Sequence, residues 1–168
     1  MEFTFETTVP APIESVYRFY RNPANFPRIM DDVPGFVLLH QENLNRVGGT
    51  VWFQQTVFRI LPIVVGFRQV AADPPRRFVF RLIHGPFDTF QHVHAFERRE
   101  EGTRVTEEMN IELPWYFGGK YVMTLAGTRC LTDIFEARGR RLRTLAEENR
   151  LDRFFAPTSN PIPAGGPP

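Results

Sequence analysis

A chain of 168 residues that is 42% hydrophobic and 14% aromatic, with 17 Phe, has enough apolar material for one core, and nothing in its length asks for a second domain. Its 20 basic and 19 acidic residues nearly cancel, which removes the broad positive field expected of a nucleic-acid or anionic-membrane binder. The single cysteine, Cys130, excludes an internal disulfide, and no apolar run approaches the roughly 20 residues of a membrane-spanning helix, so a cytoplasmic protein is expected.

The first element is a strand over Glu2–Val9, with Phe3, Phe5 and Thr7 on one side and Glu2, Thr4 and Glu6 on the other. Pro10 ends it, and Pro12 sits where an opening helical turn tolerates proline. "IESVYRFYR" then puts Ile13, Val16, Tyr17 and Tyr20 on one helical stripe. A second short helix is expected in "PANFPRIM", started by Pro23 and interrupted or kinked at Pro27. From Val33 the period shortens toward two, and the turn residues divide the chain into strands at 34–42, 50–60, 63–72, 77–84, 88–99 and 103–113. Short connections favour an antiparallel meander over parallel pairing.

After the aromatic run Trp115–Tyr116–Phe117, the pattern becomes helical, with Leu131, Ile134, Phe135, Arg138, Leu142 and Leu145 in phase. Arg138, Arg141 and Arg143 are expected to charge the far surface of this helix, and Gly127 and Gly139 to mark close packing or mild bending. The aromatic run is expected to pack at the strand-to-helix junction, with a mobile lid as the alternative. A domain over 1–155 and a flexible Pro/Gly-rich tail over 156–168 follow. An apolar sheet face needs a cover, and the long helix is the one available. The expected class is therefore α+β: a helix-grip, with a curved seven-stranded antiparallel sheet around a long C-terminal helix and two short helices after the first strand.

Within this frame, "GPFDTFQHVHAFERREEGTRVTEEMNIELP" carries the candidate chemistry. If Arg98 lies opposite Thr103 across the turn, Phe96 faces Val105, His94 faces Glu107, His92 faces Met109 and Phe90 faces Ile111, all on one side. The other side carries Thr89, Gln91, Glu97, Thr106, Glu108 and Glu112, so the histidines and Glu107 point inward. A carboxylate among apolar neighbours needs a partner, and His94 is the nearest in register.

Three readings stay open. The pair is structural, or the polar spot of an oily cavity that orients a ligand's hydroxyl or carbonyl, or a general acid–base using His94 and Glu107. Two imidazoles roughly 7 Å apart at the backbone, with Glu107, could reach one metal ion, but "HVHAFE" misses the cupin spacing because Glu97 has the wrong parity, and no metal or other cofactor is expected. Phe53, Phe58, Phe67, Phe78 and Phe80 read as core, some lining any cavity; whichever of Arg68 and Gln69 points inward would be a second polar contact. Cys130 has no activating base in sequence and reads as inert, and His84 as a solvated turn residue.

The opening "FETTVPAPIESVYRFYRNPANFPRIM", followed by "GPFDTFQHVHAFE" and "GTRVTEEMNIELP", resembles the START-like, or SRPBCC, helix-grip superfamily over about Met1 to Arg150. The sharper likeness is to its bacterial ligand-binding branch, related to polyketide cyclases/dehydrases, through GPF, H-x-H-x-F, TR-x-T-(D/E) and a closing L-P. The resemblance places the branch's histidines on His92 and His94, its aromatic on Phe96 and its acid on Glu107. Asn110, Ile111 and Phe80 stand where the branch often has an acidic residue, a Tyr and an Asp, which implies a more apolar pocket. It implies a fold and a ligand-binding habit, without a defined reaction.

Taken together, the expectation is a carrier or sensor of a small hydrophobic ligand, lipid-, polyketide- or isoprenoid-like, in a cavity formed by Phe67, Phe80, Phe90, His92, His94, Phe96, Glu107, Met109 and Ile111. The alternatives are a cyclase/dehydratase-like enzyme acting through His94 and Glu107, and an interaction module with a filled core. The expected partner is the small ligand alone, with no nucleic acid and no stable membrane insertion; a homodimer is compatible with this.

Overall fold

The structure is a computed structural model that describes residues 1–31, 33, 35–44, 46–57 and 60–151. Phe58, the end of the expected third strand and the tail over 156–168 lie outside the described residues.

Seven strands form one antiparallel sheet: β1 (Glu2–Val9), β2 (Phe36–Glu42), β3 (Thr50–Val57), β4 (Leu61–Asp73), β5 (Arg77–His84), β6 (Thr89–Arg99) and β7 (Gly102–Glu112). Their order, β1-β7-β6-β5-β4-β3-β2, makes the last six a meander, with β1 returning to pair with β7. The link from β1 to β2 therefore crosses from one edge of the sheet to the other, and α1 (Ile13–Arg21) and α2 (Phe26–Ile29) fill it. Pro27 lies in the first turn of α2, where its missing N–H has no intrahelical partner to lose, so it opens this helix rather than kinking it.

The β6–β7 hairpin has the register read from its turn, with Arg98 opposite Thr103, His94 opposite Glu107 and Phe90 opposite Ile111. Gly102 holds that turn at φ 136°, and a Cβ there would run into the Val9 carbonyl oxygen, so no larger residue fits between the hairpin and the end of β1.

The C-terminal helical run is continuous in direction but not in hydrogen bonding. It comprises α3 (Gly119–Val122), a π-turn over Met123–Gly127 and α4 (Thr128–Glu147). α4 lies along β1 and α2, and its apolar stripe closes the core: Phe135 stacks on Phe5 with ring centroids 4.6 Å apart, while Leu142 and Leu145 are fully buried. Burial of side chains of this size stabilises by about 2 kcal/mol each. Gly139 allows the close approach, since a Cβ there would meet Thr7 Oγ1 at 2.5 Å.

Two expectations are corrected. Arg138 is buried beneath α4 instead of on its far surface. Trp115, Tyr116 and Phe117 form a 3-10 turn and stay exposed, Trp115 at 86%, so they neither pack the junction nor border the cavity described below.

Candidate functional site

Alternation along the hairpin turns His92, His94 and Glu107 toward the core, and two helices complete the group from above. Tyr20, on the buried stripe of α1, donates from its hydroxyl to Glu107 Oε1 at 3.0 Å. Arg138, the one charged residue on the stripe from Leu131 to Leu145, brings Nη2 to 3.0 Å from Glu107 Oε2. His94 faces Glu107 directly in register, yet its Nε2 stays 3.4 Å from Oε2, while the diagonal neighbour His92 reaches the same oxygen at 3.0 Å. The expected His94–Glu107 pair is thus a His92–Glu107 hydrogen bond, in which the carboxylate accepts and His92 Nε2 carries the proton.

The rings around this group fix its geometry. His94 stacks on Phe78 at 4.4 Å between centroids and lies 4.0 Å from the His92 ring, while the Arg138 guanidinium sits over Phe135 at 4.7 Å. Burial would raise the Glu107 pKa, but the Arg138 charge, the His92 hydrogen bond and the nearby His94 outweigh it and hold the carboxyl well below its usual range. Burial also pushes His94 down to about 3, the neighbouring His92 adding to the effect, and it lowers His92 as well; both rings are neutral near pH 7. Burial and the Glu107 charge raise the Tyr20 phenol, which keeps its proton.

His92, His94 and Arg138 stand at the wall of a cavity of about 170 Å³. Eight phenylalanines line it, among them Phe67, Phe80, Phe87 and Phe90, together with Met30, Met109 and Cys130; His92, His94, Gln55 and Arg138 supply its polar wall. Several lining residues, among them Phe87, Cys130 and Ile134, are partly exposed. Of the residues expected to line a pocket, Phe67, Phe80, Phe90, His92, His94 and Met109 do so. Phe96 is turned into an aromatic nest with Tyr17, Tyr20 and Phe78, Ile111 packs in a separate apolar cluster with Met109 and Met123, and Glu107 lies behind the histidines. Gln69 is the inward member of its pair and accepts a hydrogen bond from Arg21, away from the cavity, while Arg68 is exposed.

The ligand atoms of His92, His94 and Glu107 lie within 4.8 Å of one another, close enough to converge on one ion. Glu107 Oε2 already faces the Arg138 guanidinium, however, so a metal bound there would meet a fixed positive charge at the carboxylate it needs.

A family model described as polyketide cyclase/dehydrase and lipid transport matches residues 9–134. The chain belongs to this family. No protein of curated function matches its sequence. Among solved structures, it is similar to TTHA0849 from Thermus thermophilus, at 20% identity and a TM-score of 0.69, covering 93% of this chain and all of that one. CV1439 from Chromobacterium violaceum follows at 18% identity and a TM-score of 0.67, covering 88% and 98%. The ginseng major latex-like protein 151 from Panax ginseng shares 15% identity with a TM-score of 0.65, covering 87% and 97%. At these identities the likeness is one of fold. The family's description names polyketides and lipids, both hydrophobic ligands, and the apolar lining accords with hydrophobic ligand binding in general. Among the described residues, no helix is long and apolar enough to cross a membrane.

Tyr20 and Arg138 are the site residues that sequence reasoning missed. The available signal for Arg138 was its phase: it falls among Leu131, Ile134, Phe135, Leu142 and Leu145, where a lone charge needs a buried partner.

Proposed function

We propose that this family member binds a small hydrophobic molecule in the cavity, as a carrier or sensor, with the polar wall of His92, His94 and Arg138 orienting it. The observation that carries this reading is a cavity lined almost wholly by apolar side chains, with few polar groups among them. Its 170 Å³ is below the roughly 300 Å³ of pockets that enclose drug-sized ligands, but comparable to protein cavities that hold a benzene-sized molecule. The ligand is therefore small, or extends through the opening. Acid–base catalysis has less support: His94 is a very weak base, and Glu107 is tied to Tyr20, His92 and Arg138, leaving neither poised to move a proton near neutral pH.

Native mass spectrometry of the purified chain, followed by solvent extraction and identification, tests the reading. A stoichiometric hydrophobic adduct is expected. A bare chain that gains no adduct after incubation with lipid and polyketide extracts would refute it.

A further inference from the structure

The exposed aromatic residues that precede α3 belong to a larger surface feature, separate from the cavity. Within positions 115–125, Trp115, Tyr116, Phe117, Tyr121 and Leu125 are all exposed, Trp115 and Leu125 by more than four-fifths. The ring of Tyr116 lies 5.9 Å from that of Trp115 and 5.0 Å from that of Phe117 between centroids. The Gly118 carbonyl accepts from the Tyr121 N–H at 3.1 Å, which ties this turn to α3. Met1, also exposed, accepts a hydrogen bond through its sulfur from Thr124 Oγ1 at 3.7 Å and adds its side chain to the group. With 150–250 Å² per aromatic side chain, the four rings expose roughly 500 Å², as much as the patches that mark interaction sites.

Charge names the occupant. Basic and acidic residues nearly cancel over the whole chain but not here: positions 113–132 hold Lys120 and Arg129, both exposed, and no acidic residue. A second copy docked by two-fold symmetry would set these cations against themselves with no carboxylate in the stretch to pair them. The patch is also smaller than the roughly 800 Å² per partner of a stable dimer. A lipid bilayer meets both halves of the pattern: Trp and Tyr rings sit at headgroup depth, Leu and Phe reach the acyl boundary, and Lys and Arg stay at the anionic surface. We infer that the stretch 115–125 is a peripheral docking surface for anionic lipid bilayers, resting on the membrane without spanning it. The cavity-lining residues of the C-terminal helix begin at Cys130, five positions past Leu125 on the same helical run. Docking therefore brings that helix to the surface where hydrophobic molecules are concentrated.

Vesicle flotation tests this with two probes, phosphatidylcholine vesicles and vesicles in which roughly a third of the lipid is phosphatidylglycerol. The native chain is expected to bind the anionic vesicles about tenfold or more tightly than the neutral ones. Lys120→Gln with Arg129→Gln should erase that preference. Trp115→Ser with Tyr121→Ser and Leu125→Ser should weaken binding to anionic vesicles at least about tenfold. All five side chains are exposed, so the unfolding midpoint is expected to stay where it is. Tryptophan emission gives a separate readout: the native spectrum should move to shorter wavelength on vesicles, and the movement should vanish in Trp115→Phe, which retains only Trp52. No flotation, binding unaffected by the triple substitution, or an emission shift that survives in Trp115→Phe would each overturn the inference. A concentration-dependent dimer abolished by the triple substitution would give the patch to a second copy and overturn it too. Each outcome leaves the cavity reading untouched, because none of the substituted residues lines the cavity.

Discussion

At the scale of single residues, the site is a buried carboxylate held by three different elements. His92 and Glu107 were legible from alternation along two strands and one turn, because a strand reports its face every second residue. Which histidine bonds the carboxylate was not legible, since it depends on ring rotamers; the directly opposed His94 stays at 3.4 Å while the diagonal His92 reaches 3.0 Å. Tyr20 and Arg138 come from helices 87 residues before and 31 residues after Glu107 in sequence, and their meeting depends on how those helices cross the sheet. The electrostatics of this cluster predict a pH response. Both histidines have folded-state pKa values below the ordinary 6.5, so on acidification the unfolded chain takes up protons before the native one does. Stability should therefore fall as pH drops below 6.5, by up to about 1.4 kcal/mol per pH unit for each histidine. Glu107, whose folded pKa is depressed below 4.5, adds its own loss at lower pH. Urea unfolding between pH 5 and 6 should show the slope reduced by about one proton's worth in His94→Phe; an unchanged slope would mean that His94 does not resist protonation in the fold.

At the scale of elements, hairpin and meander spans were readable within a few residues because Gly, Pro or Asn punctuates the turns after β2, β4, β5 and β6. The β4 boundary differs most informatively: Leu61 and Pro62 begin the strand instead of separating two, paired with Val57 and Thr56 at the end of β3. The π-turn at Met123–Gly127 had no sequence signal beyond Gly127, because an i→i+5 bond leaves the amphipathic pattern almost unchanged. The packing of α4 on β1 makes a test of sign. Gly→Ala inside a helix ordinarily stabilises by up to about 1 kcal/mol. Here a Cβ at position 139 meets Thr7 Oγ1 at 2.5 Å, so Gly139→Ala should destabilise by roughly 1–3 kcal/mol in chemical unfolding. Adding Thr7→Ala removes the obstructing atoms and should recover much of that loss. A stabilised Gly139→Ala single variant would show that α4 does not sit as close to β1 as described.

At the scale of the whole molecule, the order of elements was legible because it follows from where the period changes from 2 to 3.6, and the helix-grip is the arrangement that covers the sheet's apolar face. The size of the space left inside was not legible. It depends on how eight phenylalanines and one arginine share the gap between α4 and the sheet, and composition alone does not say whether aromatic rings fill a space or line it. That space is the central claim, and the methionines report on it directly. The chain has four, of which Met30 and Met109 line the cavity while Met1 is exposed. In methionine-methyl NMR during a titration with toluene, the Met30 and Met109 resonances should shift saturably with Met1 unmoved. Methyl resonances that stay fixed, or drift together without saturating, would contradict a cavity that binds small hydrophobic molecules.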